Sequence, residues 1–181
     1  MRFAGANQKA GLVSQRKDRG METIEPIIRE HPFFQGFKPD HIKLILGCAS
    51  NVLFKPGEFV LREGGEAHQF FVLRHGRVAV QLYVPGRGPI VIQTLDAGEV
   101  LGWSWLISPH QAHFDVQAIE LTRAIAFDGK CLRGKCEEDH DFGYELLKRF
   151  STIVVKRLEA TRVQLLDVYG KDARETSPDQ R

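Results

Sequence analysis

This sequence has no long apolar run. Nothing in its 181 residues approaches the ~20 consecutive apolar residues that a membrane helix needs, so no membrane association is expected. The first residues hold no apolar segment either, which argues against a secretory leader. Cysteine is scarce: Cys48, Cys131 and Cys136 make an odd number without zinc-type spacing. We therefore expect reduced thiols and a cytoplasmic protein. Cys131 and Cys136 are close enough in sequence to suggest redox chemistry, but no neighbouring residue supports it. Gly-x-Ser-x-Gly is missing around Ser104 and Ser108, so no serine-nucleophile elbow is expected. His-x-His is missing as well, although His110 and His113 stand three apart.

What is present reads as a globular domain. Hydrophobic residues at 43% and charged residues at 27% fit a soluble fold with a core. The net charge of +2 is unevenly spread: residues 1–20 carry +4, which leaves the remainder at −2. The basic character thus belongs to the arm and gives the folded part no case for nucleic-acid binding. Residues 1–20 lack periodicity and are expected to be a disordered basic arm.

From Glu22 a helical pattern begins, with Thr23 as N-cap and Ile24, Ile27 and Ile28 as an apolar stripe. Pro39-Asp40 opens a second short helix that Gly47 would stop. After Ser50 the texture changes to short strands separated by glycine turns at Gly57, Gly64-Gly65, Gly76, Gly86-Arg87-Gly88 and Gly98. Seven or eight such strands, up to Phe127, predict an antiparallel sandwich or barrel. From Lys130 the period is helical again. A long helix of about 139–169 is predicted, stopped by Gly170 and followed by a polar tail, 171–181. One of its faces carries Leu146, Phe150 and Ile153. A second carries Leu147, Ser151, Val154, Leu158, Thr161, Leu165 and Val168 at heptad spacing, which predicts a homodimer seam.

The segment Ala97–Ala118 stands apart. It crowds Gly102, Trp103, Ser104 and Trp105 together before Ser108-Pro109-His110. Gly102 would allow a backbone or ligand to come close, and a following turn of helix would offer N–H groups. If both tryptophans lay in a strand they would share one face. A ligand site is expected here.

The order of elements resembles the cyclic-nucleotide-binding domain of the catabolite-activator and fumarate–nitrate-regulator superfamily. The strings that carry the resemblance are FKPGEFVLREGG (Phe54–Gly65), FFVLRHGRVAVQL (Phe70–Leu82), LDAGEVLG (Leu95–Gly102) and KRLEATRVQLLDVYG (Lys156–Gly170). Together they cover roughly residues 25–170. The resemblance implies a β-roll (a double-stranded β-helix or jelly roll) with short N-terminal helices and a long C-terminal helix. It assigns residues 21–170 to that domain.

The resemblance also implies a phosphate-binding cassette after Gly98, with two departures. Trp103 stands where the family's glutamate accepts from the ribose hydroxyl, and an indole cannot accept. The family's phosphate-binding arginine falls at Ala112 or His113, neither of which offers a guanidinium fork. The ligand residues implied are Gly102, Trp103, Ser104, Trp105, His113 and Phe114. Thr161 joins them by its match to a base-contacting threonine. No cofactor is implied beyond a cyclic nucleotide or another small anionic ligand. Only 11 residues follow Gly170, too few for a helix-turn-helix module, so specific DNA binding by this chain is not expected. The expected function is a non-enzymatic sensor or regulatory domain acting through a homodimer or protein partner. One alternative is a degenerate scaffold with a tryptophan-filled pocket. Another is a cupin-like metal enzyme, which the missing His-x-His opposes.

Overall fold

The computed structural model describes residues 24–175, with side chains to Leu166. The basic arm 1–20, Thr23, Val168 and the end of the tail lie outside the described residues or side chains. The chain divides into two units after Gly143, and each is treated by itself.

In the first unit, helix α1 (24–30) leads through a 3-10 turn, Pro32–Phe34, to α2 (Pro39–Leu46). Eight strands follow: β1 (Ala49–Phe54), β2 (Phe59–Leu61), β3 (Gln69–His75), β4 (Val78–Val84), β5 (Gly88–Leu95), β6 (Val100–Leu101), β7 (Asp115–Ala118) and β8 (Thr122–Asp128). Helix α3 (Gly129–Glu138) comes next. The strands form two antiparallel four-stranded sheets, in the orders β1-β8-β3-β6 and β2-β7-β4-β5. This is the expected β-roll.

Alternation along the strands explains the layering. Phe71, Leu73, Val80, Leu101, Val116 and Ala126 belong to the core shared by both sheets. Their neighbours Phe70 and Phe127 point the other way, and they are paired across β3 and β8. Those two rings stack with centroids 4.4 Å apart and planes at 8°. Phe33 and Phe34, just after α1, pack against them at 6.0 and 5.5 Å. The sheet is therefore covered on both faces, which is why β3 and β8 read as nearly continuous apolar runs.

One expectation fails here. Cys48 and Cys131 are not reduced thiols: they form a disulfide with Cα atoms 5.8 Å apart, across 83 residues of sequence. Pairing of β1 with β8 sets Ala49 opposite Phe127, which brings the residue before β1 beside the start of α3. Cys136 remains a free thiol.

In the second unit the helix α4 (His140–Glu175, including the last residues of the first unit) is long, as expected, but does not stop at Gly170. A glycine inside a helix costs only about 1 kcal/mol relative to alanine, and Lys-Asp-Ala-Arg-Glu follows without a proline. Along α4 Leu146 and Phe150 are buried, whereas Leu147, Val154, Leu158 and Leu165 are exposed.

Candidate functional site

The Ala97–Ala118 segment begins in a tight turn. The Glu99 carboxylate accepts from the Asp96 N–H at 2.7 Å. The Gly98 N–H donates to the Leu73 carbonyl at 2.8 Å, and the Leu73 N–H donates to that of Glu99 at 2.9 Å. His31 reaches the same turn from the start of the chain, with Nε2 2.9 Å from the Gly98 carbonyl. Its Nδ1 accepts from the Phe33 N–H at 3.2 Å. Accepting there leaves Nε2 as the protonated, donating nitrogen. Burial holds the imidazole pKa below the ordinary histidine value, although the bond to Gly98 pulls the other way.

β6 then pairs with β3, and Gly102 ends it in the left-handed region at φ 86°, ψ 56°. A side chain here would be strained by that conformation and crowded as well. Its Cβ would lie 2.9 Å from the Gln69 carbonyl oxygen and 3.3 Å from the Phe70 Cα. The close approach expected at Gly102 is therefore one to β3.

After Gly102 the chain makes a 3-10 turn, Trp103–Leu106, rather than continuing as strand. With three residues per turn, positions two apart project in different directions. The two tryptophans therefore separate. Trp105 is fully buried at 0% exposure. It stacks on Phe70 at 5.7 Å, in the aromatic layer on the outer face of β3. Its carbonyl accepts from Arg133 of α3 at 2.6 Å. Gly129 lies against its ring; a Cβ there would come within 3.0 Å of Trp105 Cβ and Cε3. Trp103 is only half-buried and stacks on the exposed His113, with centroids 5.1 Å apart and planes at 26°. Ser104 is buried between them in sequence.

The loop back is stitched to the Gly64–Ala67 turn. The Ala67 N–H donates to the His110 carbonyl at 2.7 Å, the Ala112 N–H to Gly65 at 2.9 Å, and the Gly64 N–H to Ala112 at 2.8 Å. His110 takes a positive φ of 60°. Ala112, one of the two positions matched to the family's arginine, is buried at 5% exposure. Phe114 packs against the inter-sheet core.

Of the seven expected ligand residues, Trp103 and His113 touch each other and reach solvent. Gly102, Ser104 and Trp105 are buried, and Phe114 serves the core. Thr161 sits on α4 in the second unit, where its exposed hydroxyl donates to the Arg157 carbonyl at 2.9 Å. Sequence reasoning missed Gln69, Gly129, Arg133 and His31. They join the segment from other elements, and no local pattern announces them. Among the described residues, no group of three or more His, Cys, Asp or Glu side chains could hold a metal ion.

Residues 51–139 match the family model of the cyclic nucleotide-binding domain. No curated protein sequence matches the chain. Several solved structures share the fold. A putative cyclic nucleotide-binding protein from Geobacter metallireducens GS-15 is 22% identical over 76% of this chain and 96% of its own, with a TM-score of 0.65. A cyclic nucleotide-binding domain from Methylobacillus flagellatus KT is 17% identical over 91% of this chain and 88% of its own, with a TM-score of 0.65. A third is the regulatory subunit of a cAMP-independent protein kinase A from Trypanosoma brucei, as a triple variant bound to cAMP in its A site. It is 21% identical over 78% of this chain and 51% of its own, with a TM-score of 0.63. The family match, the two-sheet roll and the flanking helices agree: the chain carries a domain of the cyclic-nucleotide-binding family.

Proposed function

We propose that this domain is a non-enzymatic ligand-sensing module whose cassette has exchanged the polar anchors for cyclic nucleotides for an aromatic face. The observation that carries the reading is the Trp103–His113 stack. By the resemblance, Trp103 takes the position of the family's glutamate, and His113 is one of the two positions that match its arginine. What remains for an anion is backbone N–H groups and His113, a weaker set than a guanidinium fork. Ordinary cyclic AMP affinity is therefore not expected, and a weakly held or different nucleotide-like ligand is. The Trypanosoma relative points the same way. It is a cAMP-independent protein, and its cAMP-bound variant has three substitutions, one of them threonine to arginine.

The reading of a pocket filled by tryptophan loses its best candidate. Trp105 packs with Phe70 on the outer face of its sheet and is not part of the inter-sheet core.

Signalling in this reading runs through a homodimer. Leu147, Val154, Leu158 and Leu165 keep heptad spacing and are all 39–51% exposed on α4. An apolar seam of that kind suits a second copy of the helix. Light scattering that returns a monomer at high concentration would sink this part.

The test of the sensor reading is tryptophan fluorescence titrated with cyclic AMP, cyclic GMP and other nucleotides. Trp103 is half-buried at the proposed face, so a bound ligand changes its emission. We expect a saturable change with at least one nucleotide, at concentrations well above those typical of tight binding. No change at millimolar levels of any of them contradicts the reading.

A further inference from the structure

We propose that the Cys48–Cys131 disulfide is a thiol–disulfide exchange site that sets how firmly the back of the cassette turn is held. The bond lies at the root of α3. The Asp128 N–H donates to the Cys48 carbonyl at 2.9 Å. The Asp128 carboxylate caps α3 by accepting from the Cys131 N–H at 2.7 Å. Two residues before Cys131, the Gly129 N–H donates to the His68 carbonyl at 2.7 Å, and Gly129 lies against the Trp105 ring. Two residues after Cys131, Arg133 donates to the Trp105 carbonyl at 2.6 Å. The covalent link thus sits between the two α3 residues that hold the buried end of the Trp103–Leu106 turn. Opening it leaves the start of α3 tied to the sheet by hydrogen bonds and packing alone.

The two sulfurs differ in access. Cys48 is buried, whereas Cys131 is half-buried, so Cys131 is the one an incoming thiolate reaches. A small dithiol supplies the electrons. Its thiolate attacks Cys131 Sγ, the Cys48–Cys131 bond breaks, and Cys48 leaves as a thiolate that takes up a proton. The reductant's second thiolate then attacks the mixed disulfide. Cys131 leaves as a thiolate and is protonated, and the reductant departs as its own disulfide. Two electrons pass from the dithiol to the protein, and a disulfide oxidant reverses the sequence. Cys136 does not compete for the pair. Burial, with Asp139 and Glu137 adding to it, raises its thiol pKa and keeps it protonated.

The proposal deepens the sensor reading, on which it rests for its consequence: the redox state of this pair regulates the ligand face. The experiment is hydrogen exchange by mass spectrometry on the full chain, oxidised and after dithiothreitol. Alkylation counts the thiols in each sample. We expect one alkylated cysteine in the oxidised protein and three in the reduced one. Peptides covering 103–106 and 129–133 should exchange about 10-fold faster once reduced, as a local opening does, with β4 and β5 unchanged. The Cys48→Ser/Cys131→Ser variant should behave like the reduced protein without any reductant. If that variant does not fold, the dithiothreitol comparison on the unaltered chain decides. Equal exchange in both states, a uniform rise over the whole first unit, or three alkylated cysteines before reduction overturns the proposal. Titrating both states with the same nucleotides as in the sensor test, to millimolar levels, keeps the two ideas apart. If nothing binds in either state, the sensor reading fails while the exchange comparison still decides the clamp.

Discussion

The front and the back of one short turn carry two tryptophans two residues apart, in opposite conditions. At the back, Trp105 has no solvent contact, an aromatic partner in Phe70 and a backbone held by Arg133. At the front, Trp103 is half-exposed and leans on His113, itself exposed. The back is part of the core, and the front is the face proposed for the ligand. What separates them is the 3-10 turn after Gly102, which turns residues two apart away from each other.

The largest effects should come from breaking the back. Trp105→Ala removes a fully buried indole and should cost about 3–5 kcal/mol of stability in denaturant unfolding. Trp103→Ala should cost about 1 kcal/mol, since it loses one partly exposed aromatic pair, yet it should abolish the nucleotide-dependent fluorescence change. Equal costs for the two would erase the distinction.

A smaller effect sharpens the same comparison from the N-terminal side. His31 ties the first 3-10 turn to the Gly98 turn that opens the cassette, and its folded pKa lies below 6.5. The unfolded chain therefore binds the proton more tightly. This contribution to stability is complete above about pH 6.5 and is lost as pH falls through the lower, folded pKa. Urea midpoints measured from pH 7.5 down to 5 should fall more for the unaltered protein than for His31→Gln. Parallel curves would remove His31 from the account.

Much of this fold was legible in the sequence because it rests on local pattern. Glycine turns at Gly57, Gly76 and Gly98 and the alternation of Phe114, Val116 and Ala118 mark the strands without any tertiary knowledge. The need for glycine at 102 was legible too, though not the neighbour that imposes it: β3 is more than 25 residues upstream. The site was less legible for a related reason. Strand periodicity puts Trp103 and Trp105 on one face, and only the 3-10 geometry separates them. The disulfide was hidden because its partners are 83 residues apart and meet only through the β1–β8 register. Reading Gly170 as a stop gave one residue's propensity more weight than the helix-forming residues around it. A glycine caps a helix only where the chain also turns away.

In the function proposed above, the cassette's front has exchanged polar anchors for an aromatic pair. Calorimetric titration of cyclic AMP into the unaltered protein and into Trp103→Glu/His113→Arg tests this reading, with thermal unfolding to confirm that the variant is folded. Restoring a ribose acceptor and a phosphate fork adds two charge-assisted contacts of about 1.5–3 kcal/mol each. Cyclic AMP affinity should therefore rise by about 100-fold or more. An unaltered protein that already binds cyclic AMP as tightly as the folded variant would contradict the account.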